Sequence, residues 1–350
     1  MKSGRFIGLL LLGLTLAVLV SPAAQAQPFG GWLILTGEPS DGWIEVPANA
    51  TLNPTGAFTF EAWVSVSNNT TGEDCRSIAG KSFVAAWWIG VCNVSGSPQL
   101  RSYLRGGGSS KTGGVIPRGI WTHIAVTSDG VTRRHYINGV EAPLANPVEG
   151  GPLTTSTAAV RIGSDVSWLL TPAGAIDEVN LWNVVRTQAQ IQADLAGPIT
   201  GPVQGLLAVW SFNGSGRDSV AVYNGSASGA ASFGAPAPPP GAWLTTGQLP
   251  GFRFKVRING TTTGIQEPDC VSETLCVSGA VPGRSEVFVR VVGPRPNGYL
   301  WPHVAKFTTS PVEVWIEQLS TGSVKYYVSA GPWPGLDDLP GLYDRTGFLP

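Results

Sequence analysis

The chain has 350 residues with 22 basic against 23 acidic side chains, so it lacks the basic excess that neutralises a phosphate backbone, and nucleic acid is not an expected partner. Only 13% of residues are charged, while 46 Gly and 28 Pro punctuate the chain. That balance suits many short strands joined by turns and predicts an all-β protein, long enough for two domains that each bury a core.

Residues 1–26 read as an export signal: Lys2 and Arg5 precede an apolar run from Phe6 to Val20, and Ala24-Gln25-Ala26 offers a small-residue cleavage site. The run falls short of the roughly 20 residues a membrane-spanning helix needs, and no later stretch approaches that length. The mature chain, from Gln27, is therefore expected to be secreted to an extracellular or periplasmic space, with no membrane span.

Alternating apolar and polar residues then recur in "DGWIEVP" (Asp41 to Pro47), "AFTFEAWVSV" (Ala57 to Val66), "FVAAWWIGV" (Phe83 to Val91), "WTHIAVTSD" (Trp121 to Asp129), "RRHYING" (Arg133 to Gly139), "AVRIGSD" (Ala159 to Asp165), "AIDEVNLWN" (Ala175 to Asn183) and "LLAVWSFN" (Leu206 to Asn213). Period-two alternation puts Phe58, Phe60, Ala62 and Val64 on one face of a half-buried strand. "SDGVT" reads as a turn that returns "RRHYING" beside "WTHIAVT" as a hairpin. One helix is predicted, at about Gln188 to Ala196, where Thr187 and Gln190 form a capping-box pattern and Gly197-Pro198 closes the segment.

"GAPAPPPGA" is the clearest boundary, because three consecutive prolines favour an extended spacer that joins no central sheet. The expected organisation is signal 1–26, first domain 27–233, Pro-rich linker 234–242 and a smaller β-rich domain 243–350. In the last of these, "FRFKVRING", "EVFVRVVG", "PVEVWIEQL" and "VKYYVSAG" alternate again, with "STGS" as a hairpin turn.

The cysteines fall as one pair in each half, Cys75 with Cys92 and Cys270 with Cys276. In exported sequence disulfides persist, and local bridges follow if the halves fold separately; spacing alone does not choose among the three connectivities. The C-x-x-C spacing of many zinc sites is missing.

"FTFEAWV", "GIWTHIAVTSDG", "HYINGVEA", "VRIGSD" and "GAIDEVNLWNVVRTQAQI" arrive in the order of the laminin-G-like, concanavalin A-like family, and the chain resembles that family over about 33–233. The resemblance implies a jelly-roll β-sandwich followed by the smaller β-rich domain, which resembles no named family. It also implies a binding module for a glycan or an extracellular protein. Members commonly hold calcium at a loop edge, and the positions that match are Asp41 and Asp177; Gly42-Trp43 stand where the family usually carries a further acid. Without a metal, Asp177 reads as a carboxylate hydrogen-bonded in a loop or sheet edge.

Aromatic rings suit the C–H faces of a pyranose, and Trp87 and Trp88 are the candidate ligand contacts. As strand neighbours they point to opposite faces, so one faces outward or is covered by a loop, although core packing is the commoner fate of either ring. Glucanases of this broad fold flank the sugar bond with two acids on one strand face. Asp177 and Glu178 are adjacent and are expected to leave opposite faces; Glu313 and Glu317 share a face, with Trp315 where the glucanases have Asp. His123 has no evident nucleophile or carboxylate partner and reads as structural. A non-catalytic binding protein is the expectation, with a structural or surface-assembly protein as the alternative and a glucanase-like enzyme as the second alternative.

Overall fold

The computed structural model describes residues 30–329 apart from 38–41, 68–73, 106–109, 150, 168–169, 200–201, 220–222, 235, 237, 264, 267–269, 271–273, 280–284, 293–299, 309, 311 and 322–323. The export signal and Asp41 lie outside the described residues. Strands dominate, as the Gly- and Pro-rich composition requires, and the protein is all-β with one short α-helix among the described residues. No described helix is long and apolar enough to cross a membrane.

Two antiparallel sheets form the N-terminal sandwich. One runs Val140–Ala142, Arg133–Ile137, Thr122–Ser128, Phe58–Val66, Ala173–Trp182, Trp32–Thr36, Ser232–Gly234, with Leu206–Trp210 also paired to Ala173–Trp182. The other runs Ser226–Gly229, Gly42–Val46, Val160–Ile162, Cys75–Gly80, Trp88–Val94, Ser97–Tyr103, Lys111–Val115. Phe58, Phe60, Ala62, Val64, Ile124, Val126, Ile176 and Leu181 from the first meet Ile44, Val46, Ile78, Ile89, Val91, Leu100 and Ile162 from the second. Each large apolar side chain so buried contributes roughly 1.5–3 kcal/mol.

Local chemistry sets the hairpins. The Thr122–Ser128 strand pairs Ile124 with Ile137 and Val126 with His135. Asp129 Oδ1 closes the turn between them by accepting from the amides of Val131 at 2.8 Å and Thr132 at 2.6 Å. Asn138 and Gly139, with φ 49° and 72°, then make a tight Asn-Gly turn into Val140–Ala142.

The Phe58–Val66 strand corrects the half-buried expectation, since it is covered on both faces. The segment after Trp182 crosses its outer side: Thr59 Oγ1 donates to the Val184 carbonyl at 2.8 Å, and the Arg186 amide donates to Thr59 Oγ1 at 3.0 Å. The helix Gln188–Asp194 follows. Its capping box is complete, with the Gln190 amide donating to Thr187 Oγ1 and the Thr187 amide to Gln190 Oε1, and Ile191 packs on Ala125 and Tyr136.

The C-terminal unit is a second, smaller sandwich. One sheet runs Leu244–Thr245, Phe252–Ile258, Val312–Gln318, Val324–Ser329, with Thr261–Thr263 paired to Phe252–Ile258. The other runs Ile265–Gln266, Thr274–Ser278, Ser285–Val292, Trp301–Lys306. Between them lie Phe254, Val256, Leu275, Val277, Val287, Val289, Val314 and Ile316. Gly234, the first linker residue, ends the strand Ser232–Gly234 opposite Trp32, while the other described linker residues join no sheet. These are still tied down: the Trp315 indole N–H donates to the Pro236 carbonyl at 3.0 Å, and Lys255 Nζ to the Pro239 carbonyl. Disulfides join Cys75 to Cys92 and Cys270 to Cys276, and the first links paired residues of adjacent strands.

Candidate functional site

Strand register lays a row of side chains across the outward face of the seven-stranded sheet: Ser226, Glu45, Arg161, Gly80, Trp88 and Tyr103 are successive cross-strand partners. At about 4.8 Å per strand, Arg161 and Tyr103 stand about 14 Å apart on one rigid surface. A parallel row holds Ser77, Gly90, Arg101 and Thr112.

Trp87, immediately before the strand Trp88–Val94, and Trp88, its first residue, part to opposite sides. Trp87 enters the inter-sheet core against Phe58 and Phe60 and is 3% exposed. Trp88 points outward but is 0% exposed: its ring lies over Gly90, its indole N–H donates to Ser77 Oγ at 2.8 Å, and Phe83 and Tyr103 close over it edge-on at 5.7 and 5.6 Å. Neither ring offers a free face. The aromatic surface at this point is instead Phe83 and Tyr103, both partly exposed and 4.6 Å apart.

These two rings are firmly placed. The Phe83 amide donates to Asp165 Oδ1 at 3.0 Å, and the buried Asp165 carboxylate fits only because Gly80 has no Cβ. Lys81 beside it donates to the Ala158 carbonyl at 2.8 Å, and burial pushes its ammonium below the usual lysine range. At the far end of the row the Arg161 guanidinium covers the Trp43 ring at 4.5 Å and pairs with Glu45 at 2.9 Å, so Trp43 is not an open platform.

The acids that catalysis would use lie elsewhere, under cover. Two residues, Asp177 and Glu178, separate the core-facing Ile176 and Val179 where strict alternation allows one, and the register with Phe58–Val66 slips there. Glu178 takes φ 45°. This bulge overturns the expectation that the two side chains part to opposite faces, because both carboxyls are buried within electrostatic reach of one another. Burial raises Glu178 to about 8, and it raises Asp177 well above the carboxylate range, with the Glu178 charge adding to the rise.

A second buried group sits under the helix. Glu61 lies 3.6 Å from His123 Nε2 and 3.8 Å from Arg186 Nε, and Arg186 also pairs with Asp194 at 2.5 Å. Burial and the Asp194 charge push Glu61 up to about 8, with Arg186 pulling the other way. His123 and His135 are driven by burial to about 3 and about 4, so both are neutral rings; His135 bridges Gly113 O and Ser102 Oγ. In the C-terminal unit Glu313 and Glu317 do share a face, and each is paired with an arginine, Arg257 at 2.9 Å and Arg253 at 2.8 Å.

Calcium, which the resemblance implies, takes six to eight oxygens. Asp177 Oδ1 and Oδ2 and Glu178 Oε1 are buried without a well-formed hydrogen bond, which is the donor chemistry a hard cation seeks. Asp41 lies outside the described residues, and among those described no three His, Cys, Asp or Glu side chains converge on a metal position.

Residues 37–192 match the family model of the concanavalin A-like lectin/glucanases superfamily. The N-terminal sandwich is a concanavalin A-like domain. No curated protein matches the chain. Solved structures similar to it include a candidate carbohydrate-binding protein from Bacteroides ovatus, 20% identical with TM-score 0.48, covering 60% of this chain and 61% of that one. This chain thus spans about three fifths of that protein's length. A heptameric SAP-like pentraxin from Limulus polyphemus is 14% identical with TM-score 0.43, over 59% and 96% of the two chains. Domain 4 of an extracellular arabinanase from Geobacillus stearothermophilus, solved with arabinotriose, is 25% identical with TM-score 0.38, over 49% and 79%.

The concanavalin A-like domain hides from a sequence reader the residues that make its outward face. Arg101 and Tyr103 are two apart in "LRSYL", and that spacing alone places them together on a strand. Phe83 and Gly90 carry no comparable signal, because their roles depend on what packs against Trp88.

Proposed function

We propose that this is an exported, non-catalytic glycan-binding protein whose concanavalin A-like domain takes sugar on the outward face of the seven-stranded sheet. The carrying observation is the Phe83–Tyr103 pair, two partly exposed rings fixed over a buried Trp88 beside Arg101. Ring edges and faces of this kind suit the C–H surface of a pyranose; a strand holds Tyr103, and the bond from the Phe83 amide to Asp165 fixes Phe83 in the turn before Trp88, which limits the ordering cost of binding. Two disulfides fit an oxidising, exported setting. A glucanase-like site would need two carboxyl groups about 5 to 9.5 Å apart across a groove; Glu61, Asp177 and Glu178 are buried and Glu313 and Glu317 are neutralised by arginine. A glycan array probed with wild type and Tyr103→Ala tests the reading. Signal on wild type that falls about tenfold, or about 1.4 kcal/mol, in the variant is expected; no glycan signal on folded protein overturns it.

The same reading places calcium at Asp177, with Glu178 as a neighbouring oxygen and Asp41 as the partner the family pattern suggests. The ion would replace protons on two buried carboxyls. Adding EDTA should lower the thermal midpoint, and an unchanged midpoint removes calcium from the account.

Assembly is the second reading, favoured by Phe307, which is 56% exposed and packs edge-on to Phe288 at 5.0 Å on the smaller domain. Sedimentation of wild type against Phe307→Asp decides it: concentration-dependent association lost in the variant supports assembly, and monomers in both refute it.

A further inference from the structure

Arg101 is a cation on the proposed sugar-facing side that pairs with no acid among the described residues. Its Nε donates to Thr112 Oγ1 at 2.7 Å and its Nη1 approaches Cys75 Sγ at 3.5 Å, so two of the three guanidinium nitrogens are positioned by groups that carry no charge. Three described acids near it are engaged elsewhere. Glu45 is held by Arg161, Asp74 lies 3.9 Å from Arg76, and Asp165 accepts from the amides of Phe83 and Ser167. Arg161 has its carboxylate; Arg101 makes no ion pair among the described residues.

The ground around Arg101 is open in a particular way. Its cross-strand partner is Gly90, which has no side chain and carries the flat Trp88 ring, and Tyr103 follows two residues later on the same face. A strand rises about 3.3 Å per residue, which places the Tyr103 ring roughly 7 Å along from the guanidinium. A planar guanidinium matches a carboxylate, and Nη2 with the remaining Nη1 hydrogen would supply the two donors. A group that carries a carboxylate on a pyranose would meet the guanidinium with the first and Tyr103 and Phe83 with the second.

We propose that the ligand class is a glycan bearing a carboxylate, of the uronic or sialic acid type, with the carboxylate paired to Arg101 and the ring against Tyr103 and Phe83. This rests on the glycan-binding reading of the same face. The charge supplies discrimination, and the aromatic pair supplies contact common to charged and neutral sugars.

An array carrying sialylated, uronate-containing and neutral glycans, probed with wild type, Arg101→Gln, Arg101→Lys and Tyr103→Ala, separates the two ideas, with thermal midpoints recorded to show that each variant is folded. The expected result is at least a tenfold preference of wild type for carboxylated glycans. Arg101→Gln should lose that preference while keeping residual neutral binding, Arg101→Lys should keep part of it, and Tyr103→Ala should weaken both classes. Raising salt should weaken carboxylated binding and leave neutral binding nearly constant. Wild type that binds neutral glycans equally well, or Arg101→Gln that keeps the preference, overturns the inference and leaves the glycan reading standing. Folded wild type that binds no glycan overturns both.

Discussion

Gly90 has no side chain, and the Trp88 ring fills the volume a Cβ would need, with the Arg76 carbonyl close behind. Overpacking of this kind typically costs about 1–3 kcal/mol, and here it would also lift the floor under Phe83 and Tyr103. Gly90→Ala should therefore lower the urea midpoint and weaken glycan binding together; a stable variant with full binding would show that Trp88 does not support those rings. Glu61 and the buried histidines set a pH dependence at the same scale. Glu61 rises from 4.5 to about 8 on folding, so the folded chain holds a proton that the unfolded chain has released. The stability this gives is complete below pH 4.5 and is lost as the pH rises through about 8. His123 and His135 fall from 6.5 to about 3 and about 4, so their contribution is complete above 6.5 and is lost as the pH falls through those values. The slopes oppose one another between 4.5 and 6.5, and stability should decline toward pH 8. Glu178, also raised to about 8, and Asp177 add declines of the same sign, so Glu61→Gln should make the fall between pH 6.5 and 8 shallower by one group's share, at most about 1.4 kcal/mol per pH unit; an unchanged slope in melting experiments would mean Glu61 is ionised when folded.

At the scale of elements, the helix Gln188–Asp194 is the clearest case of local information. Its capping box is written in Thr187 and Gln190, and both hydrogen bonds form. Thr187→Ala should cost about 1 kcal/mol and expose Ala125 and Tyr136, which only Ile191 joins in their cluster; hydrogen exchange across Thr122–Ser128 would report it, and unaltered protection would mean the helix does not hold that face. The hairpins were legible for the same reason, since Asp129, Asn138 and Gly139 act within a few residues of themselves. The bulge at Asp177 and Glu178 was not, because alternation is a property of one strand and a slipped register is a property of two. Nor were the buried outer face of Phe58–Val66 and the fate of Trp88. Each depends on partners far along the chain: Arg186 and Asp194 over Glu61, and Tyr103 over Trp88. Aromatic residues were thus easy to name as contacts and hard to place, and the rings that reach solvent are not the pair that drew the eye in sequence.

For the whole molecule, the Pro-rich connection is part of the packing of the smaller sandwich. Trp315 is fully buried, and its indole N–H and the Lys255 ammonium hold the carbonyls of Pro236 and Pro239. Proline fixes the chain but leaves its carbonyl to accept, which suits a segment laid over a sheet without joining it. Removing a buried Trp side chain costs about 3–5 kcal/mol, and Trp315→Ala should also speed proteolytic cleavage between 234 and 242 by about tenfold while the concanavalin A-like domain keeps its own melting transition. Equal cleavage rates would mean the connection is free in the native protein. The Cys75–Cys92 disulfide ties two adjacent strands of the seven-stranded sheet, and the outward face of that sheet is the proposed seat of the sugar. A crystal structure with the tightest oligosaccharide from the array tests that claim most directly. A sugar ring in van der Waals contact with Tyr103 and Phe83 on that face is expected; a sugar seated at the Asp177 edge or on the smaller sandwich, with that face bare, would contradict the claim.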